Sequence, residues 1–148
     1  MASINDVVIK IATVNGTGSA SANSLLRKAI FRMGVPVVGK NYFPSNIQGL
    51  PTWYEIRVTG DGYCCRSDRV DIMVAMNAQT YARDMAEVEP GGCLIYDSTW
   101  PRSSLLNRDD ITIIGIPLSK MCNEHFDGAR ARILMKNIAF VGAIAALL

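Results

Sequence analysis

Apolar residues fall into short β-branched runs and longer stretches with helical spacing, and the two kinds of segment alternate along the chain. The first run, Asp6–Val14 (DVVIKIATV), predicts a buried strand. After the break at Asn15–Ser19 (NGTGS), apolar residues recur at helical spacing from about Ser21 to Met33. Gly34 then stands where a helix C-cap glycine belongs, so the opening of the chain predicts strand, glycine turn and helix.

The alternation continues through the rest of the chain. Further strands are predicted at Val35–Val38, Trp53–Thr59, Asp71–Ala75, Cys93–Tyr96 and Ile111–Ile116. Further helices are predicted at Gln79–Val88, Ser119–Phe126 and Ala129–Leu148. These elements predict one α/β domain over residues 1–148, with three α/β/α layers and a mostly parallel sheet, a Rossmann-like variant.

One region departs from this parallel scheme. Lys40–Thr52 is rich in Asn, Pro and Gly and predicts a loop. The alternation in Trp53–Thr59 predicts an antiparallel strand with one exposed face. The turn signal Gly60–Gly62 then predicts that Tyr63–Cys65 pairs back on it as a hairpin.

Composition narrows the class of protein. The hydrophobic fraction is 49%, the charged fraction 19% and the net charge +2, without a basic block, so we expect partner proteins and no nucleic acid. The longest apolar stretch, Ile138–Leu148, falls short of the ~20 residues of a membrane helix, so no membrane span is expected. Because the stretch has no helix stop signal, we expect that the chain is a fragment of a longer subunit or that its last helix docks against something else.

The cysteines and the histidine offer little chemistry. Cys64, Cys65, Cys93 and Cys122 form no C-x-x-C pair, and we expect them to be reduced, buried and structural in a cytoplasmic protein. With only one histidine we expect no metal site and no iron–sulfur cluster on this chain. Because Ser19 has no base close by in sequence, no catalytic residue is assigned.

The glycine turn is the first candidate site. A strand followed by Gly16-Thr17-Gly18-Ser19 and a helix presents backbone N–H groups at the positive end of a helix dipole, which suits a phosphate. The alternative is a tight turn closed by small residues for packing. A third glycine is absent and Lys40 stands where a dinucleotide site has an acid, so a phosphorylated nucleotide such as coenzyme A fits better than NAD.

Three further candidates remain open. The aromatic and amide-rich loop Tyr42–Trp53 is either a site or an ordinary loop. Asn77 follows a central strand and either faces a ligand or caps the next helix. Asn137 interrupts an apolar helical run, so it is either buried and hydrogen-bonded to backbone or ligand, or exposed beside Lys136.

Three segments carry a family resemblance: NGTGSASANSLLRKAIFRMG, NYFPSNIQGLPTWYEIRVTGDGY and KNIAFVGAIAALL. They resemble the gamma domain at the start of fused alpha subunits of 2-oxoacid:ferredoxin oxidoreductases, especially the 2-oxoglutarate type. The resemblance covers essentially the whole chain, and its FPSNIQGLPTWYEIR part is specific.

The resemblance implies a function shared with other subunits. The full enzyme converts a 2-oxoacid and coenzyme A to an acyl-CoA, carbon dioxide and reduced ferredoxin, with thiamine diphosphate and iron–sulfur clusters held largely in the alpha region and beta subunit. The gamma domain contributes to coenzyme A binding, and this chain alone is expected to be inactive. The matching positions are Gly16, Thr17, Gly18, Ser19, Ala20 and Asn137.

The chain also departs from its relatives. Those of the pyruvate type carry a lysine that contacts coenzyme A in the loop that here reads Ser45–Gly49, and Lys40 is the nearest base. Many relatives also have a double glycine where this chain has Gly18-Ser19. The alternatives are therefore a non-catalytic assembly domain of the same complex and a stand-alone nucleotide-binding protein.

Overall fold

The computed structural model describes residues 6–44, 47–63, 65–101 and 107–148. Within this part of the chain, the strands are β1 (Val7–Val14), β2 (Val37–Tyr42), β3 (Pro51–Val58), β4 (Ile72–Ala75), β5 (Cys93–Asp97) and β6 (Thr112–Ile116). The helices are α1 (Ser19–Arg32), α2 (Tyr81–Ala86), α3 (Leu118–His125) and α4 (Ala129–Leu147).

The strands form one sheet in the order β2-β3-β1-β4-β5-β6. β1, β4, β5 and β6 pair in parallel, whereas β3 runs antiparallel to both β1 and β2. The mostly parallel sheet and its antiparallel strand are therefore as predicted. Because β3 is reversed, its first residues lie at the same edge of the sheet as the last residues of β1 and β2.

Helices cover both faces of the sheet. On one face, α1, α3 and α4 pack on a core that includes Ile9, Ile56 and Phe140. On the opposite face, α2 packs on a core that includes Met73 and Leu94. These are the three layers that the sequence predicts. No helix among the described residues is long and apolar enough to cross a membrane.

The structure corrects the region around β3. β2 extends to Tyr42 and β3 begins at Pro51, so the loop between them is shorter than predicted. β3 is largely buried and has no exposed face, because β1 and β2 flank it on both edges and helices cover the sheet. Tyr63 lies outside any strand, since β2 occupies the position predicted for the hairpin partner, and Cys64 lies outside the described residues.

The cysteines differ in burial. Cys122 is buried, Cys93 is partly buried and Cys65 is exposed, and all three are free thiols. The prediction that they are buried is wrong for Cys65, which lies in the irregular segment after β3. Across the described ranges, no group of three or more His, Cys, Asp or Glu side chains could hold a metal ion.

Candidate functional site

The glycine turn joins the end of β1 to the start of α1. Gly16 and Gly18 have φ angles of 87° and 79°, in the left-handed region that favours glycine. Gly18 is the N-cap of α1, where no side chain caps the helix and no acidic residue lies in the first turn. Because the first N–H groups of a helix have no intrahelical acceptor, they remain available at the positive end of the dipole. Gly18 and Ala20 are exposed, so an anion can reach these amides.

A cavity of about 250 Å³ adjoins this turn. It lies at the edge of the sheet where β1 and β2 end and β3 begins. Its lining residues are Thr13, Asn15, Gly16, Gly18, Ser19, Ala20, Asn23, Asn41, Phe43, Thr52, Trp53 and Tyr54. None of these side chains is charged, although many are polar, so the cavity is suited to a neutral group that forms hydrogen bonds.

Asn23 is the most informative residue of this cavity, and it is not among the candidates that the sequence predicts. It lies on α1 one turn after Ser19, is only 2% exposed, and its Oδ1 has no hydrogen-bond partner among the described residues. A buried polar atom without a partner is costly and requires an explanation. The detectable signal was its position: Asn23 shares the buried face of α1 with Leu26 and Ile30.

The hydroxyl of Ser19 forms a hydrogen bond within the structure. It lies 2.9 Å from the hydroxyl of Thr13, and both side chains are buried. This contact ties the first turn of α1 to the end of β1. It positions the turn and gives no support to a nucleophilic role for Ser19.

The loop after β2 lies against the glycine turn, so the first two candidate sites are neighbours. The Asn15 N–H donates to the Leu50 carbonyl at 2.9 Å, and the Gly49 N–H donates to the Asn15 carbonyl at 3.0 Å. A Cβ atom at Gly16 would lie 2.6 Å from Cγ of Gln48, so this side chain packs against Gly16. Residues 45 and 46, at the start of the segment where relatives carry a lysine, lie outside the described residues.

Asn137 also reaches the glycine turn, from α4. It is 5% exposed, and its Nδ2 donates to the Thr17 carbonyl at 2.8 Å. Leu134, one turn earlier on α4, would lie 2.7 Å from a Cβ atom at Gly18. Of the alternatives given by the sequence, Asn137 is buried and bonded to the backbone, and the exposed alternative is wrong.

Asn77 lies outside this cavity. Its Oδ1 accepts the Gln79 N–H at 3.0 Å, and its carbonyl accepts the Thr80 N–H at 3.1 Å. Asn77 therefore forms the turn before α2, while Thr80 is the N-cap of that helix.

Lys40 also faces away from this cavity. Its ammonium group lies 5.4 Å from the centre of the Tyr42 ring, and both residues line a cavity with Glu55. Neighbouring Asn41 lines the glycine-turn cavity, and successive residues of a strand face opposite sides of a sheet. Lys40 therefore lies on the α2 face, opposite the glycine-turn cavity.

Polar residues form a separate cluster on the α2 face. Asp84 is fully buried and accepts hydrogen bonds from Trp53 Nε1 at 2.8 Å and from Thr80 Oγ1 at 2.6 Å. Burial raises the pKa of Asp84 despite these two hydrogen bonds. Lys10 pairs with Glu87 beside it.

A second buried carboxylate, Asp97, ends β5. It accepts hydrogen bonds from the backbone and hydroxyl groups of Thr99 and Ser119. Lys136 of α4 lies 3.9 Å from one of its oxygens. Burial alone would raise the pKa of Asp97, but the bonds from Ser119 and Thr99 hold it below its usual value. Asp97 thus ties the start of α3 to the sheet.

Sequence comparison relates this chain to a family of oxidoreductases. Residues 8–148 match the family described as pyruvate ferredoxin/flavodoxin oxidoreductase. Subunit alpha of 2-oxoacid:ferredoxin oxidoreductase 2 from Aeropyrum pernix is 30% identical over 122 residues, which cover 82% of this chain and 18% of that subunit.

Solved structures show the same fold. The 2-oxoglutarate:ferredoxin oxidoreductase from Magnetococcus marinus, solved with 2-oxoglutarate, coenzyme A and succinyl-CoA bound, has a TM-score of 0.83 at 24% identity, covering 97% of this chain and 24% of that chain. The gamma subunit of a keto/oxoacid ferredoxin oxidoreductase from Geobacter sulfurreducens has a TM-score of 0.72 at 18% identity, covering 95% of this chain and 76% of that chain.

The likeness extends over nearly all of the chain, while the chain spans about a fifth of the Aeropyrum pernix alpha subunit. A family match over residues 8–148 includes the glycine turn, the loop after β2 and the α4 helix that holds the turn. The chain therefore belongs to the pyruvate ferredoxin/flavodoxin oxidoreductase family.

Proposed function

We propose that this chain is the gamma-type domain of a 2-oxoacid:ferredoxin oxidoreductase and that its glycine turn binds a phosphate group of coenzyme A. The observation that carries the proposal is the uncapped start of α1 beside a polar cavity whose lining includes Asn23, a buried residue with an unpartnered Oδ1 among the described residues. The Magnetococcus marinus structure of the same fold contains coenzyme A, which supports this choice of ligand.

The residues of the turn have different roles in this proposal. The backbone N–H groups of Gly18, Ser19 and Ala20 bind the phosphate, while Gly16 allows the chain to turn tightly beneath it. Asn137 is a positioning residue, because it holds the Thr17 carbonyl and thereby fixes the direction of the neighbouring amides.

The complete reaction requires other subunits. It converts a 2-oxoacid and coenzyme A to an acyl-CoA and carbon dioxide, and ferredoxin accepts the electrons. Thiamine diphosphate and iron–sulfur clusters would be held largely by the alpha region and beta subunit, as the family resemblance implies. Use of 2-oxoglutarate and a cytoplasmic location stay predictions.

Calorimetric titration with coenzyme A tests the proposal, using this chain co-expressed with the proposed alpha region and beta subunit. Gly18→Asp places a carboxylate beside the bound phosphate and should abolish binding. Gly34→Asp is the matched control: Gly34 also has a left-handed φ, 81°, but lies beyond the other end of α1 with no atom within 4 Å of an added Cβ. Gly34→Asp should therefore carry a similar backbone strain and bind normally.

The second candidate function is assembly without a ligand. Its supporting observation is the exposure of apolar side chains on α4, where Ile133, Leu134 and Ile138 are 42%, 42% and 45% exposed. Such a surface is typical of a contact with another protein. Absence of coenzyme A binding by the wild-type complex, or equal binding by the Gly18→Asp variant, would favour this assembly function.

A further inference from the structure

We propose that a groove between α3 and α4 binds an acidic segment of a partner subunit, with an apolar side chain of that segment packed on Trp100 and a carboxylate bound by Arg132. This inference rests on the proposed function, since the partner is another subunit of the same oxidoreductase. It goes further, because it assigns the contact to one surface and states the chemistry of the partner.

The α3–α4 groove has a volume of about 320 Å³. It is formed by one side of α3, the first two turns of α4 and Trp100, which follows β5. It shares no lining residue with the cavity beside the glycine turn, so it is a separate site. The lining residues that matter for recognition are Trp100, Arg132, Ile133 and Lys136.

Trp100 gives the groove an apolar anchor. It is 62% exposed, although tryptophan is highly buried on average in folded proteins. Ile133 of α4 lines the same groove and is 42% exposed. Tryptophan and arginine are among the side chains that most often dominate the binding energy of protein–protein contacts. An apolar side chain of the partner that packs on Trp100 and Ile133 would remove both from water.

The charge of the groove selects an acidic partner. Arg132 and Lys136 line it, whereas no acidic residue in the described part of the chain does. Lys136 lies 3.9 Å from Asp97, which offsets its charge in part. Arg132 instead donates from Nε to the Phe126 carbonyl at 2.8 Å and forms no ion pair with a described residue. This bond fixes the guanidinium group, and its terminal nitrogens can bind a carboxylate.

The start of α4 adds to this positive charge. Its first turn contains no acidic residue, and Arg130 and Arg132 lie near the end of the helix where the dipole is positive. Neither Glu124 nor Asp127, near the end of α3, lines the groove or forms an ion pair with these arginines. A carboxylate from a partner would therefore relieve an unfavourable arrangement of charge.

A segment of a different protein fits this surface better than other occupants do. A second copy of this chain that binds through the same surface would place two basic grooves face to face, which like charges oppose. A small anion would pair with Arg132 but would leave Trp100 and Ile133 in contact with water. A polypeptide segment supplies both the carboxylate and the apolar side chain.

Sedimentation velocity over a range of concentrations measures how tightly this chain binds the alpha region and beta subunit with which it is co-expressed. Each variant is measured at low and at high salt. Trp100→Ala removes the anchor, and Arg132→Gln removes the charge. Their matched controls lie on α1 outside the groove: Phe31→Ala, at a phenylalanine that is 64% exposed, and Lys28→Gln, at an exposed lysine.

We expect Trp100→Ala to weaken assembly by about tenfold or more, the effect of losing a central aromatic contact. Arg132→Gln should weaken assembly by about two- to tenfold at low salt and by less at high salt, because salt screens the attraction between charges. Both controls should assemble like the wild type. The salt dependence identifies a charge contact, since a local loss of structure at the Phe126 carbonyl would act alike at both salt concentrations.

Three results would overturn the inference. If the groove variants assemble as tightly as the controls, the groove is not the contact, although the turn remains a coenzyme A site as long as Gly18→Asp abolishes binding. If Trp100→Ala instead abolishes association of this chain with a second copy, the groove serves self-assembly. If the wild-type chain does not assemble with the alpha region and beta subunit, the proposed function itself fails, and this inference fails with it.

Discussion

The side-chain amide of Asn137 donates a 2.8 Å hydrogen bond to the Thr17 carbonyl, joining residues 120 positions apart in the sequence. The bond fixes the middle of the glycine turn from the last helix. Together with Leu134 against Gly18, it makes α4 a structural support of the proposed phosphate site.

Replacing Asn137 by Leu should therefore lower both stability and ligand affinity. The partly buried Thr17 carbonyl would lose its donor, which costs about 0.5–1.5 kcal/mol in the free energy of unfolding. Urea denaturation measures this loss, and Asn123→Leu, at an exposed asparagine, should change stability by less than about 0.5 kcal/mol. An unchanged midpoint for the Asn137 variant would show that the hydrogen bond does not support the turn.

Alanine variants of Gly18 and Gly34, at opposite ends of α1, distinguish the stability cost of backbone strain from that of a packing clash. Gly34→Ala should cost about 1–2 kcal/mol for a left-handed alanine alone, since an added Cβ meets no atom within 4 Å. Gly18→Ala should cost more, because its Cβ would lie 2.7 Å from Cδ2 of Leu134. Adding Leu134→Ala to each variant tests whether Leu134 causes this extra cost. If it does, the double variant with Gly18→Ala should be more stable than the sum of the two single effects predicts, whereas the effects of Gly34→Ala and Leu134→Ala should add.

The sequence predicts most of the fold because its core segments have strong apolar patterns. β1 and α1 end within about two residues of their predicted limits, since apolar periodicity and the glycines mark both. The end of β2 was missed because it is an edge strand of the described sheet, where Lys40 and Asn41 are tolerated and resemble a loop. Its pairing with β3 is a tertiary contact that no local pattern records.

The sequence predicts only part of the candidate site. Gly16 and Gly18 are recognisable because turn chemistry is local. Asn23 lies in a run of small residues, SASANS, where only its helical spacing to Leu26 and Ile30 indicates that it is buried. The sequence does not decide whether the Asn137 side chain is buried or exposed, because its hydrogen-bond partner Thr17 lies at the other end of the chain.

Asp97 should make stability depend on pH in the usual direction for a carboxylate. Hydrogen bonds from Ser119 and Thr99 hold its pKa below the unfolded value of 3.8 against the effect of burial, so its contribution is present above that value and is lost as the pH falls. Asp97→Asn should cost roughly 2–3 kcal/mol at pH 7 and less at pH 3, as measured by urea denaturation. A cost that does not change with pH would contradict this account, and Asp109→Asn, at an exposed position, serves as the control.

Asp84 should show the opposite dependence. Burial raises its pKa above the unfolded value of 3.8, so the folded state holds the proton more tightly than the unfolded state. The stabilisation that follows is full below pH 3.8 and is lost as the pH rises through the folded pKa. Asp84→Asn keeps an acceptor for Trp53 Nε1 and gives Thr80 a donor, while removing the charge.

The wild type should therefore gain stability relative to Asp84→Asn as the pH falls toward 3.8, whereas it should lose stability relative to Asp97→Asn over the same range. Urea denaturation of the three proteins at several pH values measures both trends in one series. Because non-specific acid effects act alike on both variants, they cannot produce opposite slopes. Parallel slopes would show that the environments of these two carboxylates do not differ as the structure indicates.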